Sequence, residues 1–183
     1  MAAHEIDYRI LGDDLQIVEV ELDPAVLDLA RRDPRMLAAN QGALDDPRVE
    51  VVVDDAMRWL RTASETFDAV VVDMPDPDSP ATAKLYSQEF YGLAARALAP
   101  GGRMVVQAGS PYFAPEAFWC IGATVAAAGL QVTPYHVDVP SFGDWGFVLA
   151  ARGAAPVDDG GQDGCECALR AACAVVAAGG LLL

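Results

Sequence analysis

Three carboxylates, Asp73, Asp76 and Asp78, fall within the six residues Asp-Met-Pro-Asp-Pro-Asp, directly after the apolar run Phe67 to Val72. Two prolines stiffen such a loop and hold its acidic side chains near one another. Crowded like charges raise the electrostatic energy. Binding an ammonium group relieves it, and so does raising one carboxyl pKa until that group works as a general base. A reaction in which an amine attacks an activated carbon needs both functions, one carboxylate to hold the cation and one to take a proton from the attacking nitrogen. Asp73 and Asp76 fit these two roles, against the plainer reading of a solvated acidic loop. Glu21, in Val-Glu-Leu-Asp-Pro, is placed to accept hydrogen bonds from a ribose diol, as an acidic residue does at the end of a strand in nucleotide-binding α/β folds. Asp55 is a candidate acceptor for a nucleobase amino group, although it and Asp54 also suit the start of a helix at Ala56. Gln107 ends another β-type run, and Tyr86 is the aromatic residue best suited to line a site.

These residues need a scaffold that brings strand ends together. Leu15 to Leu22 reads as a strand running into a helix that Asp23 caps, with Pro24 at the first helical position. Val49 to Val53 is a second strand, Ala56 to Ala63 a short helix, and Phe67 to Val72 a strand apolar enough to be buried on both faces of a parallel sheet. A Pro- and Asp-rich loop, Met74 to Thr82, precedes a helix expected from about Lys84 to Leu98, closed by Pro100-Gly101-Gly102. Arg103 to Gln107 is the next strand and Pro115 to Gly129 the next helix. Gln131 to Val137 and Trp145 to Ala150 are expected to close the sheet as an antiparallel pair. Strand and helix alternate, which predicts an α/β domain with a mainly parallel sheet. Such sheets bind ligands beyond the carboxyl ends of their strands, where Glu21, Asp55, Asp73 and Gln107 all fall.

The 183 residues carry 12 basic and 27 acidic side chains, a formal charge of −15. That field repels a phosphate backbone, so nucleic acid is not an expected partner, whereas a small polycation is attracted. No apolar run approaches the ~20 residues of a membrane-spanning helix, and the amino terminus lacks a basic region followed by an apolar stretch. With four cysteines, three of them in the tail at Cys165, Cys167 and Cys173, neither a disulfide scaffold nor a zinc site is expected, and a reduced cytoplasmic setting fits. His136 reads as a structural histidine within a strand.

Taken in order, Val20 to Pro24 (VELDP), Asp54 to Ala56 (DDA), Phe67 to Pro77 (FDAVVVDMPDP), Lys84 to Tyr91 (KLYSQEFY) and Pro100 to Gly102 (PGG) resemble the spermidine synthase family of aminopropyltransferases. The later segments, Gln107 to Phe113, Ala117 to Ile121 and Val139 to Phe147, look like the bacterial branch whose full-length members carry an amino-terminal membrane region. The resemblance implies a Rossmann-like class I adenosylmethionine-dependent methyltransferase fold. It implies transfer of an aminopropyl group from decarboxylated S-adenosylmethionine, a co-substrate, to putrescine, giving spermidine and methylthioadenosine without a metal. Carried over by position, Glu21 binds the donor's ribose, Asp55 its adenine, Asp73 accepts the proton and Asp76 holds the diamine, with Gln107 and Tyr86 as further substrate-lining residues. A homodimer is an assembly consistent with it.

Two departures qualify the match. Members of the family have a first strand and a glycine-rich loop ahead of VELDP, whereas only Ile10 to Asp14 precedes it here, so the expectation is a domain over residues 1–151 that lacks this donor cradle and is truncated at its amino terminus. Val139 stands where spermidine synthases often carry a tyrosine. Residues 152–183 are expected to form a linker and a helical or poorly ordered tail whose last residues fray. An adenosylmethionine-dependent methyltransferase and a non-catalytic remnant of the family are the competing readings.

Overall fold

A computed structural model describes residues 16–139, 143–153 and, for the backbone, 180–182. The first strand, β1 (Ile17–Glu21), leads into α1 (Pro24–Arg32), where the Asp23 carboxylate accepts from Ala25 N at 2.9 Å and Pro24 occupies the first turn. The same Asp-Pro signal recurs at once: Asp33 caps a second helix, α2 (Pro34–Asn40). A 3-10 turn at Ala43–Asp45 precedes β2 (Val49–Val53), then α3 (Ala56–Thr62) and β3 (Phe67–Val72). Next come α4 (Pro80–Ala83), a 3-10 turn at Lys84–Tyr86, α5 (Gln88–Arg96), β4 (Leu98–Gln107), α6 (Pro115–Ala127), β5 (Gln131–Val139), β6 (Gly143–Ala151) and β7 (Gly180–Leu182).

The single helix expected from Lys84 is therefore two pieces. Ser87 is extended, and its hydroxyl accepts from Phe90 N at 3.2 Å, so it ends the 3-10 turn and caps α5. Pro100-Gly101-Gly102 ends no helix either. It lies within β4 as an irregularity, where Leu98 pairs with Phe67 and pairing resumes at Arg103 with Ala69.

The strands form one seven-stranded sheet in the order β2-β1-β7-β3-β4-β6-β5. Every neighbouring pair is parallel except those made by β6, which runs against both β4 and β5. This agrees with the expected mainly parallel sheet and antiparallel closing pair. The slot between β1 and β3 holds β7, whose residues 180–182 pair with Ile17 to Glu19 on one side and Ala69 to Val71 on the other. Those tail residues were expected to fray; backbone pairing on both sides supplies the order that their composition does not advertise. The expected linker and helix over residues 154–179, and the expected loss of a first strand ahead of Leu15, lie outside the described residues.

Alternation along the strands distributes the core to both faces. Val70, Val72, Met104, Val106 and Val148, all at most 1% exposed, face α3, α5 and α6 in the larger core, where Phe90 and Tyr91 are wholly buried. On the other face Ile17 packs with Leu27, Ala30 and Leu44, and Ala69, Val105 and Leu149 form a third cluster. Burying an aromatic pair such as Phe90 and Tyr91 contributes several kcal/mol, which fixes α5 against β3 and β4 and so fixes the turn that carries Tyr86.

Candidate active site

Because β1, β2, β3 and β4 run in the same direction, Glu21, Asp54, Asp55, Asp73 and Gln107 all emerge at one edge of the sheet. They are not in one row of adjacent strands. The strands ending at Glu21 and Asp73 are separated by the β7 slot, while those ending at Asp73 and Gln107 are neighbours.

Glu21 is half-buried, and its Oε1 accepts from Asp23 N at 2.8 Å, which folds the carboxylate over its own turn. Asp55 is more engaged. One oxygen caps α3 by accepting from Arg58 N at 3.0 Å, and the other accepts from Lys84 Nζ at 2.8 Å. The hydrogen bond from Lys84 is the main cause holding the Asp55 carboxyl below its ordinary range, against a smaller opposing effect of burial. Asp54 pairs instead with the Arg58 guanidinium. The helix-capping role that the sequence allowed for this pair is thus present, and in Asp55 it coexists with the ion pair to Lys84.

Asp73 is half-buried at the end of β3, and Asp76 and Asp78 are exposed in the loop that follows. That loop is ordered by its own chain: Asp78 N donates to Asp76 O at 2.8 Å, and Ser79 and Thr82 form a reciprocal cap on α4. The Tyr86 hydroxyl donates to Met74 O at 3.1 Å and stands 3.4 Å from Gln107 Oε1. Burial raises its pKa, and the negative charges of Asp76 and then Asp73 push it further. The same three side chains, Tyr86, Asp73 and Asp76, therefore share one electrostatic neighbourhood with the end of β4. Chemically this is a cation-attracting notch beside a neutral phenol. Beyond Gln107, Ser110 is buried and its hydroxyl accepts from Tyr112 N and Phe113 N at 3.3 and 3.2 Å, so the two exposed aromatics stand on a fixed turn.

Four of the expected residues, Asp73, Asp76, Tyr86 and Gln107, come together; Asp55 joins them through Lys84, and Glu21 lies across the slot. Lys84, the only lysine among the 183 residues, was missed by the sequence reading, because its partner Asp55 lies 29 positions away. His136 is outside this group, with its Nδ1 2.5 Å from Asp144 Oδ1 across the β5–β6 pair. Among the described residues no set of three or more His, Cys, Asp or Glu side chains is arranged to hold a metal ion, and no helix is long and apolar enough to cross a membrane.

A family model described as the spermine/spermidine synthase domain matches residues 13–158. The polyamine aminopropyltransferase of Mycobacterium tuberculosis is 65% identical over 138 residues, which cover 74% of this chain and 26% of that protein. Polyamine aminopropyltransferase 1 of Streptomyces coelicolor is 56% identical over 134 residues, covering 73% and 25%. The chain thus spans about a quarter of the length of these relatives. Among solved structures, a spermidine synthase in complex with the transition-state analogue AdoDATO superposes with a TM-score of 0.74 at 22% identity, over 85% of this chain and 54% of that one. The spermidine synthase from Thermotoga maritima gives 0.70 at 22% identity, over 85% and 53%. These superpositions show the expected class I methyltransferase-like α/β fold. The sequence match over residues 13–158 establishes that the chain belongs to the spermine/spermidine synthase domain family.

Proposed function

We propose that the chain is a polyamine aminopropyltransferase domain that transfers the aminopropyl group of decarboxylated S-adenosylmethionine to putrescine. In this reading Glu21 accepts hydrogen bonds from the donor's ribose, Asp55 accepts from its nucleobase amino group, and Asp76 pairs with the far ammonium of the diamine. The near nitrogen attacks the propyl carbon bound to the sulfonium. The new C–N bond forms as the C–S bond breaks, the electron pair goes to sulfur to give methylthioadenosine, and Asp73 takes the proton that the nitrogen sheds. Gln107 and Tyr86 line the acceptor side. No metal takes part. A homodimer in the cytoplasm belongs to the same reading and is tested by sedimentation and cell fractionation.

The observation that carries this reading is the shared environment of Asp73, Asp76 and Tyr86 at the carboxyl edge of β3, tied by the Tyr86 hydroxyl to Met74 and standing beside Gln107. A carboxylate pair next to a neutral hydroxyl suits a cationic amine that must lose a proton. The assay is formation of methylthioadenosine by the purified chain from putrescine and decarboxylated adenosylmethionine. Asp73→Asn should lower turnover by about a hundredfold or more, the usual range for loss of a general base. Absence of product, or an unchanged rate in Asp73→Asn, overturns the proposal. Donor binding without turnover would instead favour the non-catalytic remnant.

A further inference from the structure

Lys84 and Asp55 are 29 residues apart in sequence and lie on different elements, the 3-10 turn after α4 and the cap of α3, yet their charged atoms meet at 2.8 Å. The pair spans the Pro- and Asp-rich loop: one end is the cap after β2, and the other is the turn that also carries Tyr86. Lys84 is part-exposed, with 47% of its side chain accessible against 28% for Asp55, so the contact is open to solvent and to exchange. The remaining oxygen of Asp55 is committed to Arg58 N.

The geometry points to Lys84 as an exchangeable latch: its ammonium holds the loop over residues 74–83 against the α3 cap when the site is empty, and it competes with the nucleobase amino group for the same Asp55 oxygen. This rests on the proposed nucleoside reading of Asp55. An ion pair this exposed contributes little, which is what exchange requires: a deeply buried pair would not release its carboxylate, and no pair at all would leave the loop untied. Releasing the lysine also leaves its positive charge unpaired beside a sulfonium donor, so the latch opposes donor binding both by occupying the acceptor oxygen and by charge.

The test compares the full chain with Lys84→Met and Lys84→Arg. In the absence of ligand, amide hydrogen exchange over residues 74–83 should speed up in Lys84→Met and stay close to wild type in Lys84→Arg. Calorimetric titration with methylthioadenosine should show Lys84→Met binding tighter by up to about fivefold, the upper range for a part-exposed ion pair. Wild-type affinity should rise with added salt, which screens the competing pair, while that of Lys84→Met should not. Unchanged loop exchange overturns the anchoring role. Equal or weaker binding by Lys84→Met overturns the competition alone, and failure of both chains to bind the nucleoside overturns the competition together with the nucleoside reading of Asp55.

Discussion

The Tyr86 hydroxyl donates to the carbonyl oxygen of Met74, the residue that follows Asp73, across 3.1 Å. One hydrogen bond thus joins the turn that opens α5 to the point where the chain leaves β3. Since α5 is locked by the wholly buried Phe90 and Tyr91, the position of Met74, and through it that of Asp73, is referred to the core. Tyr86→Phe keeps the ring and removes only this tie. The expected cost is about 0.5–1.5 kcal/mol in chemical denaturation, the range for a part-buried hydrogen bond. Because burial and the two aspartates keep the phenol neutral, its removal should leave the shape of any pH–rate profile unaltered while lowering the rate. A shifted profile would mean that Tyr86 itself exchanges the proton.

Glu19 gives the protein a pH-dependent stability. Its side chain is 8% exposed in β1, and its Oε2 has no hydrogen-bond partner among the described residues. Burial, reinforced by Glu21 and only partly offset by Arg31, pushes its carboxyl from 4.5 up to about 7. The folded state therefore holds a proton that the unfolded chain has already lost between these two values. Stability from this group is fully present below about pH 4.5, falls as the pH rises, and is gone above about pH 7. Glu19→Gln, which never ionises, should become the more stable protein as the pH rises through that window, by about 3–4 kcal/mol at pH 8, from the ~1.4 kcal/mol carried by each pKa unit. Urea titrations of both proteins at a series of pH values isolate the group. Parallel curves would rule the effect out.

Much of the scaffold was legible because its signals are local. Asp23-Pro24 announces a helix start through a side-chain cap and a proline in the first turn, and Phe67 to Val72 can be little else than a strand covered on both faces. The breaks were less visible. Lys84 to Leu98 has helical spacing throughout, yet extended Ser87, whose hydroxyl accepts from Phe90 N, divides it, and Leu98 already belongs to β4. The placement of Glu21, Asp55 and Asp73 at one edge of the sheet was readable since strand ends converge in any parallel sheet. Glu19 and Lys84 were not, for opposite reasons: a carboxylate in the run Ile17 to Glu21 looks like an outward-facing residue until the sheet is assembled, and the partner of Lys84 lies 29 positions away. The identity of the strand beside β1 was the least readable, because pairing by β7 depends on a long-range register that three residues cannot specify by pattern.

The turn after β4 is held to β6 by two backbone hydrogen bonds, Ala108 N to Gly146 O at 2.9 Å and Gly146 N to Gly109 O at 2.7 Å. This is possible only because residue 146 has no side chain: a Cβ there would meet Phe118 at 2.5 Å and Gly109 O at 2.8 Å. Phe118 is 4% exposed in the core and cannot swing clear, and the carbonyl is itself part of the pairing. Gly146→Ala must therefore push α6 or the Ala108 to Ala114 turn outward, at an expected cost of about 1–3 kcal/mol. The displacement reaches Gln107, so any activity should fall with stability. Gly122, inside α6, is the control: its added Cβ would come no nearer than 3.8 Å, to Val148. Gly122→Ala should stabilise by about 0.5–1 kcal/mol through helix propensity alone. Melting curves of the two variants should move in opposite directions; a shift of Gly146→Ala toward higher stability would show that the close approach of α6 to β6 is not held by the absence of that side chain.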